Sequence, residues 1–298
     1  MSADDLTIAF HIGAHKTATT HLQRSLMKSV EGMAAAGVRY YGPQDFRLPG
    51  RSIFALFGLK DASPVGPRRS PQAQLALMRK DAARIVFSEE NFIGVLNSPR
   101  RLPVKQRYPH AATRISRLAA AMERPIDVLL GIRHPTAFLN SAYCQQLMGG
   151  RVVPFARYHQ INPVKSVDWL DLVARLRAAE GVGQVTVWRY EDYATLFPRI
   201  CSALVGARAA SLVRPLDRRI HEGLSAEAVS ETLARHAKDQ TEKLGFAMRK
   251  TMPVGPDHPR FDGFGPDDHA AGDAAYAHQI AGIRELSGVT FLDPDQPE

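Results

Sequence analysis

The chain has 298 residues, is 45% hydrophobic and carries a formal net charge of +8 at pH 7. This length allows one large buried core, and without a run of about 18–20 apolar residues we expect no membrane-spanning helix. The two cysteines, Cys144 and Cys201, have no paired spacing, which argues against a disulfide framework or a cysteine-based metal site and favours a reducing compartment.

The positive charge predicts an anionic ligand without choosing one. A basic surface attracts nucleic acid, anionic membranes, nucleotides and acidic glycans alike. The basic residues are spread along the chain without the aromatic-interleaved stripe of a nucleic-acid module, so we expect no nucleic-acid partner. The segment MSADDLTIAF is acidic and runs directly into a strand pattern, unlike a signal peptide, and the expected location is the cytoplasm.

The first part of the chain alternates predicted strands and helices. Alternating apolar residues over 6–13 predict a buried strand, and a helix is expected from Thr17 to Ala36. GVRYYGP predicts a second short strand, after which the proline-, glycine- and arginine-rich residues 42–71 predict a long irregular segment. ARIVFSEENF predicts a third strand over 84–88 that ends in two carboxylates.

The second part continues the alternation. A helix is predicted over His110–Met122, and PIDVLLGIRHP is the most apolar predicted strand, closed by Arg133 and Pro135. TAFLNSAYCQQL predicts a helix with Thr136 as an early cap residue. The remaining elements are, in order, a loop over 149–166, a helix in SVDWLDLVARLRAAE, a strand in GQVTVWRYED, a helix in LSAEAVSETLARHAKDQ, and a loop or flap over 252–273.

Strands that alternate with helices predict an α/β fold with a parallel sheet covered on both faces. Ligands of such sheets bind beyond the carboxyl ends of the strands. Three polar segments fall at these ends: residues 13–20 after the first strand, residues 88–91 after the third, and Arg133 after the fourth. Their shared position predicts one site.

The segment HIGAHKTATTHLQ predicts an anion-binding loop. Backbone N–H groups at the start of a helix favour an anion, Lys16 adds a positive charge, and Thr17, Thr19 and Thr20 add hydroxyl groups. The spacing is not the G-x-x-x-x-G-K-[ST] of the Walker A loop. The alternative is an ordinary strand–helix junction with a solvated lysine.

Two motifs resemble those of the sulfotransferase family, in its bacterial type. HIGAHKTATTHLQ resembles the family's 5′-phosphosulfate loop, whose pattern is close to G-x-x-K-[ST]-G-[ST]-T-x-L-Q. GIRHPTAFLNSAYCQQ places Arg133 and, eight residues later, Ser141 where the family grips the 3′-phosphate of its donor. The resemblance is strongest over residues 6–190 and fades beyond about residue 240.

The resemblance implies a single sulfotransferase-like domain over 1–298, a three-layer α/β/α sandwich related to P-loop nucleotide-binding proteins, with a C-terminal loop and helix over 252–298 of undefined role. The implied donor is 3′-phosphoadenosine 5′-phosphosulfate, and the implied reaction transfers its sulfuryl group to a hydroxyl or amine without a metal. The implied donor-binding residues are His15, Lys16, Thr17, Ala18, Thr19, Thr20, Arg133 and Ser141, with Lys16 also catalytic.

The resemblance also implies a base after the third strand. Here the candidates are Glu89 and Glu90, which point to opposite sides in an extended segment. The alignment of strand ends favours Glu90, on the same side as Ser88, and desolvation would raise its pKa toward the working range. The alternative is that both glutamates cap the next helix or pair with arginines.

One residue departs from the resemblance. The family's usual glycine in the loop is Ala18 here, which is tolerable in a right-handed conformation but not at positive φ. If this position needs positive φ, weaker donor binding or a degenerate relative is expected.

The acceptor is not specified by the sequence. A small molecule or a glycan is expected, bound by the variable segments 42–71, 149–166 and possibly 252–273. Their arginines would suit an anionic acceptor: Arg47, Arg51, Arg68, Arg69, Arg151 and Arg157. The competing functions are a basic polyanion-binding protein with a relic loop and a P-loop kinase. The nearby His11, His15 and His21 are not expected to converge on a metal.

Overall fold

The computed structural model describes residues 6–59, 69–97, 102–217, 223–237 and 244–295. The strands in these ranges are β1 (Thr7–His11), β2 (Val38–Tyr41), β3 (Arg84–Ser88), β4 (Ile126–Ile132), β5 (Val182–Arg189) and β6 (Val289–Leu292). They form one sheet in the order β2-β3-β1-β4-β5-β6, in which every neighbouring pair is parallel.

Helices separate the strands along the chain. Within the described ranges they are α1 (Thr19–Lys28), α2 (Val30–Ala35), α3 (Pro43–Phe46), α4 (Ile53–Leu56), α5 (Pro71–Arg79), α6 (Ala111–Met122), α7 (Pro135–Met148), α8 (Phe155–Ile161), α9 (Trp169–Arg177), α10 (Tyr193–Val205), α11 (Ala207–Ala210), α12 (Ala226–His236), α13 (Leu244–Thr251) and α14 (Pro266–Glu285). None of these helices is long and apolar enough to cross a membrane.

Both faces of the sheet are covered. Alternate residues of β1 point to opposite sides, so that Ile8 and Phe10 join one buried cluster and Ala9 joins another. Helices α5, α6, α7, α9 and α14 contribute to the first cluster, and α1, α2, α10 and α11 to the second. The predicted three-layer α/β/α architecture around a parallel sheet is therefore confirmed.

Several predicted boundaries are wrong. The helix expected from Thr17 starts at Thr19, because Ala18 adopts a left-handed conformation, and it is interrupted at Ser29 between α1 and α2. The predicted loop 149–166 contains α8, and residues 266–273 of the predicted flap 252–273 form the start of α14. Thr136 lies inside the first turn of α7 and does not cap it.

The order of the strands brings the three polar segments together. β1 lies between β3 and β4 at the centre of the sheet. The carboxyl ends of these three parallel strands lie at the same edge, so residues 13–20, residues 88–91 and Arg133 converge there as predicted.

Candidate functional site

The loop between β1 and α1 presents backbone N–H groups to the edge of the sheet. Gly13, Lys16 and Ala18 adopt positive φ values of 72°, 66° and 62°. Turns of this kind direct successive N–H groups into one concavity, which favours an anion. Among the described residues, the backbone N–H groups of residues 16–20 have no hydrogen-bond acceptor. The loop therefore has five free donors.

The conformation of Ala18 settles the question raised by its sequence. Its φ of 62° and ψ of 17° lie in the left-handed region, where the family's usual glycine carries no penalty and alanine does. The structure thus has the positive φ for which weaker donor binding or a degenerate relative is expected, and the effect on donor binding stays a prediction.

Contacts below the loop hold it against the sheet. The Ala14 N–H donates to the Gly131 carbonyl at 2.9 Å, and the buried Thr17 hydroxyl donates to the Ala14 carbonyl at 2.6 Å. The single hydroxyl proton of Thr17 is thus used inside the loop, contrary to its expected use as a donor to the anion. Gly131 is required here because a Cβ would lie 2.9 Å from the Thr17 Oγ1.

The His15 side chain points away from the free amides. Its Nδ1 lies 2.9 Å from the Tyr108 hydroxyl and its Nε2 lies 3.2 Å from Asn91 Oδ1, while its own N–H donates to the Tyr108 hydroxyl at 3.4 Å. Burial lowers the pKa of His15, which favours a neutral ring. His15 therefore anchors the loop to the segment after β3. Sequence reasoning missed Tyr108, which lacks a motif of its own, whereas Asn91 lies in the predicted polar segment 88–91.

Lys16 and Arg133 bring the two sequence motifs into contact. The Lys16 Nζ donates to Gln145 Oε1 on α7 at 3.0 Å, and the Arg133 Nη1 donates to the Lys16 carbonyl at 2.9 Å. Burial and the charge of Arg133 lower the pKa of Lys16 to about 8. The Arg133 guanidinium stacks 4.3 Å above the Tyr190 ring, and its Nε is buried without a partner among the described residues.

Two further arginines extend the positive charge, and sequence reasoning missed both. The charge of Arg249, on α13, contributes to the lowered pKa of Lys16. Burial lowers the pKa of Arg133, and the charge of Arg260 acts in the same direction. Both lie beyond residue 240, where the family resemblance fades. Such mutual repulsion would be relieved by a bound polyanion.

Ser141 lies on the face of α7 that carries Gln145. Residues four apart on a helix share a face, and Gln145 contacts Lys16. Ser141 is half-buried, and its place on this face of α7 is the structural observation that links it to the loop. The loop and Arg133 thus meet at one edge of the sheet, whereas the side chains of His15 and Thr17 are engaged by other partners.

Glu89 and Glu90 share one arginine, contrary to the expectation that they point apart. Arg47 donates from Nε and Nη2 to the two oxygens of Glu89 at 2.9 and 2.7 Å, and from Nη2 to Glu90 Oε1 at 2.8 Å. Glu89 also accepts the Asn91 N–H at 3.0 Å and so caps the short 3₁₀ helix 90–92. Of the arginines expected to suit an anionic acceptor, Arg47 is therefore already paired with carboxylates. Another of them, Arg68, lies outside the described residues.

The pKa of Glu90 moves opposite to the direction expected. Burial raises this pKa, but the charge of Arg47 and hydrogen bonds from Arg47 and Gln23 outweigh it and leave the pKa below its ordinary value. Glu90 lies against the loop, since a Cβ on Gly13 would be 3.0 Å from the Glu90 Cβ. Glu90 is thus an ionised carboxylate beside the anion loop.

A buried polar network lies behind Glu90. Gln23 Nε2 donates to Glu90 Oε2 at 2.8 Å and to the Ser88 Oγ at 3.2 Å, so Ser88 and Glu90 share a side as predicted. The Ser88 Oγ lies 2.8 Å from His11 Nδ1. Burial lowers the pKa of His11 to about 4, so the ring is neutral near pH 7.

The three N-terminal histidines do not converge. His11 contacts Ser88, His15 contacts Tyr108, and His21 lies 2.7 Å from the Tyr193 hydroxyl and bonds the Leu216 carbonyl. In the part of the chain that the structure describes, no group of three histidine, cysteine or acidic side chains could hold a metal.

Comparisons with known proteins give distant structural matches. No protein-family model and no curated protein matches the sequence. A sulfotransferase from Alicyclobacillus acidocaldarius is 16% identical with a TM-score of 0.42, over 81% of this chain and 95% of that one. Retinol dehydratase in complex with androsterone and inactive cofactor PAP is 14% identical with a TM-score of 0.33, over 92% of this chain and 80% of that one. Both identities and both scores are low, so any activity must be argued from the site itself.

Proposed function

We propose that the protein is a sulfotransferase that moves a sulfuryl group from 3′-phosphoadenosine 5′-phosphosulfate to a hydroxyl or amine of a small-molecule or glycan acceptor. The observation that carries the proposal is the hydrogen bond from Arg133 to the Lys16 carbonyl, which joins the two sequence motifs at one edge of the sheet. Each motif alone would bind one anion, and together they would suit a ligand with phosphates at two positions.

The free amides of residues 16–20 would hold the 5′-phosphosulfate, as helix N-termini hold phosphates. Lys16 lies at the centre of this loop. Arg133 and Ser141 would bind the 3′-phosphate, because a guanidinium fork matches a phosphate. Arg249 and Arg260 add positive charge that favours the polyanionic donor over a neutral ligand.

Sulfuryl transfer needs positioning and charge stabilisation, as phosphoryl transfer does. The acceptor oxygen forms a bond to sulfur while the bond from sulfur to the bridging phosphate oxygen breaks. Lys16 would stabilise the negative charge that grows on this oxygen. Glu90, beside the loop, would take the proton of the acceptor. We propose that no metal takes part.

The acceptor would bind between the loop and the segments after β2 and α7. We propose one domain over residues 1–298, supported by the pairing of β6 with β5, and a cytoplasmic location, supported by the cysteine content. Because Arg47 is held by Glu89 and Glu90, the arginines of these segments give less support to an anionic acceptor than their number suggested.

The donor can be tested by thermal unfolding with adenosine 3′,5′-bisphosphate, ADP, or ATP with magnesium. A ligand at about a hundred times its Kd adds about 2.7 kcal/mol, which raises the Tm by several degrees. We expect this rise only with the 3′-phosphorylated nucleotide. Lys16→Ala should reduce it, and Lys28→Ala, at the exposed end of α1, should leave it intact.

Two other results would contradict the proposal. Stabilisation only by ATP with magnesium would indicate a kinase. Stabilisation by none of the nucleotides, with salt-sensitive binding to heparin, would indicate a polyanion-binding protein with a relic loop. If the donor analogue binds, catalysis is then tested by measuring the transfer of a radiolabelled sulfuryl group from the donor to each of a panel of hydroxyl and amine acceptors.

A further inference from the structure

Both oxygens of Glu90 are occupied in the structure. Oε1 accepts from Arg47 Nη2 and Oε2 accepts from Gln23 Nε2, each at 2.8 Å. The side chain is only 12% exposed, so little of the carboxylate remains accessible. Each oxygen keeps a second lone pair, but the low exposure leaves little room to reach it, so we infer that an acceptor hydroxyl approaches Glu90 by taking the place of one of these two partners.

Gln23 is the fixed partner. It is buried on α1, and its Nε2 also donates to Ser88, which in turn contacts His11. Its backbone carbonyl accepts from the Tyr40 hydroxyl at 3.3 Å. Moving the Gln23 side chain away from Glu90 would also break its buried bond to Ser88, which makes the exchange costly.

Arg47 is the exchangeable partner. Its side chain is 45% exposed and follows the short helix α3. It makes one bond to Glu90 but two to Glu89, whose own position is fixed by the Asn91 N–H. Loss of the single bond would leave Arg47 held at Glu89, so the exchange needs only a small displacement of one side chain.

We propose that Arg47 is a positioning residue that covers Glu90 and keeps it ionised until an acceptor hydroxyl takes its place at Oε1. This inference rests on the proposed sulfuryl transfer. In the step itself, the acceptor proton passes to Glu90 Oε1 as its oxygen bonds to sulfur, and the electron pair of the broken sulfur–oxygen bond stays on the departing phosphate. Arg47 then remains beside the protonated carboxyl, held by Glu89.

The other groups around Glu90 do not replace Arg47. The negative charge of Glu90 also acts on His11 and His15, whose pKa values burial lowers, and on Lys16 in the donor loop. The remaining ionisable neighbours are Glu89, a like charge, and the phenols of Tyr40 and Tyr108, whose pKa values burial raises. Arg47 is thus the one cation bonded to Glu90 among the described residues.

The test is the pH dependence of kcat/KM for wild type and Arg47→Met. Removing a cation bonded to a carboxylate raises its pKa by about one unit or more, so the acid limb should move to higher pH by that amount. The matched control is Arg39→Met, which breaks an arginine–Asp81 pair remote from the site and should leave the limb in place. An unmoved limb in Arg47→Met would overturn the proposal.

A second measurement separates this inference from the proposed function. The carboxyl ¹³C signal of Glu90, assigned by its loss in Glu90→Gln, can be titrated without donor or acceptor. We expect its midpoint to rise in Arg47→Met, and a smaller rise in Arg47→Lys, which keeps the charge but lacks the guanidinium fork. If wild type binds no donor, the proposed function fails while this titration still decides whether Arg47 controls Glu90.

Discussion

Ala18→Gly tests whether the anion loop is strained. Ala18 has a φ of 62° at the start of α1, and it packs half-buried against the cluster beneath that helix. The left-handed conformation costs an L-residue about 1–2 kcal/mol. Glycine removes this cost, but its greater freedom in the unfolded chain returns about 0.5–1 kcal/mol. The lost methyl contact returns a few tenths more.

The net expectation is a gain of about 0.5 kcal/mol in the free energy of unfolding and a Tm higher by about 1–2 °C. Ala36→Gly is the matched control, because Ala36 packs half-buried on the same cluster but has a φ of −85°. Without strain to relieve, that variant should lose about 0.5–1 kcal/mol.

Urea unfolding of the three proteins measures the difference. Ala18→Gly and Ala36→Gly should shift the midpoint in opposite directions at an unchanged m-value. If both variants lose the same stability, Ala18 is not strained and the reasoning is refuted. Calorimetric titration with adenosine 3′,5′-bisphosphate then shows whether the relaxed loop also binds the donor analogue more tightly.

Three further predictions concern the same edge of the sheet. In the unfolded chain His11 binds a proton below about pH 6.5, whereas in the folded protein it does so only near pH 4. The free energy of unfolding, measured with denaturant, should therefore fall by roughly 3 kcal/mol as the pH drops from 6.5 to 4, and this decrease should be smaller in His11→Gln. Since the pKa of Lys16 is about 8, calorimetry should show donor-analogue affinity declining above that pH, whereas Lys16→Arg should keep it constant. Gly131→Ala should cost about 1–3 kcal/mol in thermal unfolding, because its Cβ would lie 2.9 Å from Thr17 and 3.1 Å from Trp188.

Much of the central fold follows from local sequence. Alternating apolar residues predict β1, and short apolar runs predict β3 and β4, because a strand buried on both faces is apolar at nearly every position. The prediction for β3 matches its bounds. Other elements lack such a signal. α10 contains Pro198, which obscures its helical pattern, and β6 has only four residues at the end of the chain.

The candidate site, like the fold, could be predicted only in part from the sequence. The spacing of Lys16, Arg133 and Ser141 is visible in the sequence because each residue follows directly from a strand or shares a helix. The state of Glu90 is not visible, because its pKa depends on Arg47, which is 43 residues away in sequence. Desolvation alone predicts a raised pKa, and the guanidinium contact reverses the sign.

The sequence by itself therefore determined the parallel sheet, the loop at its central strand and the residue types that meet at its carboxyl edge, since these depend on periodicity and short spacings. Only the tertiary structure decided the positive φ of Ala18, the turning of His15 toward Tyr108 and the pairing of Arg47 with two glutamates. These features arise where segments distant in sequence pack together, and local patterns carry no record of that packing.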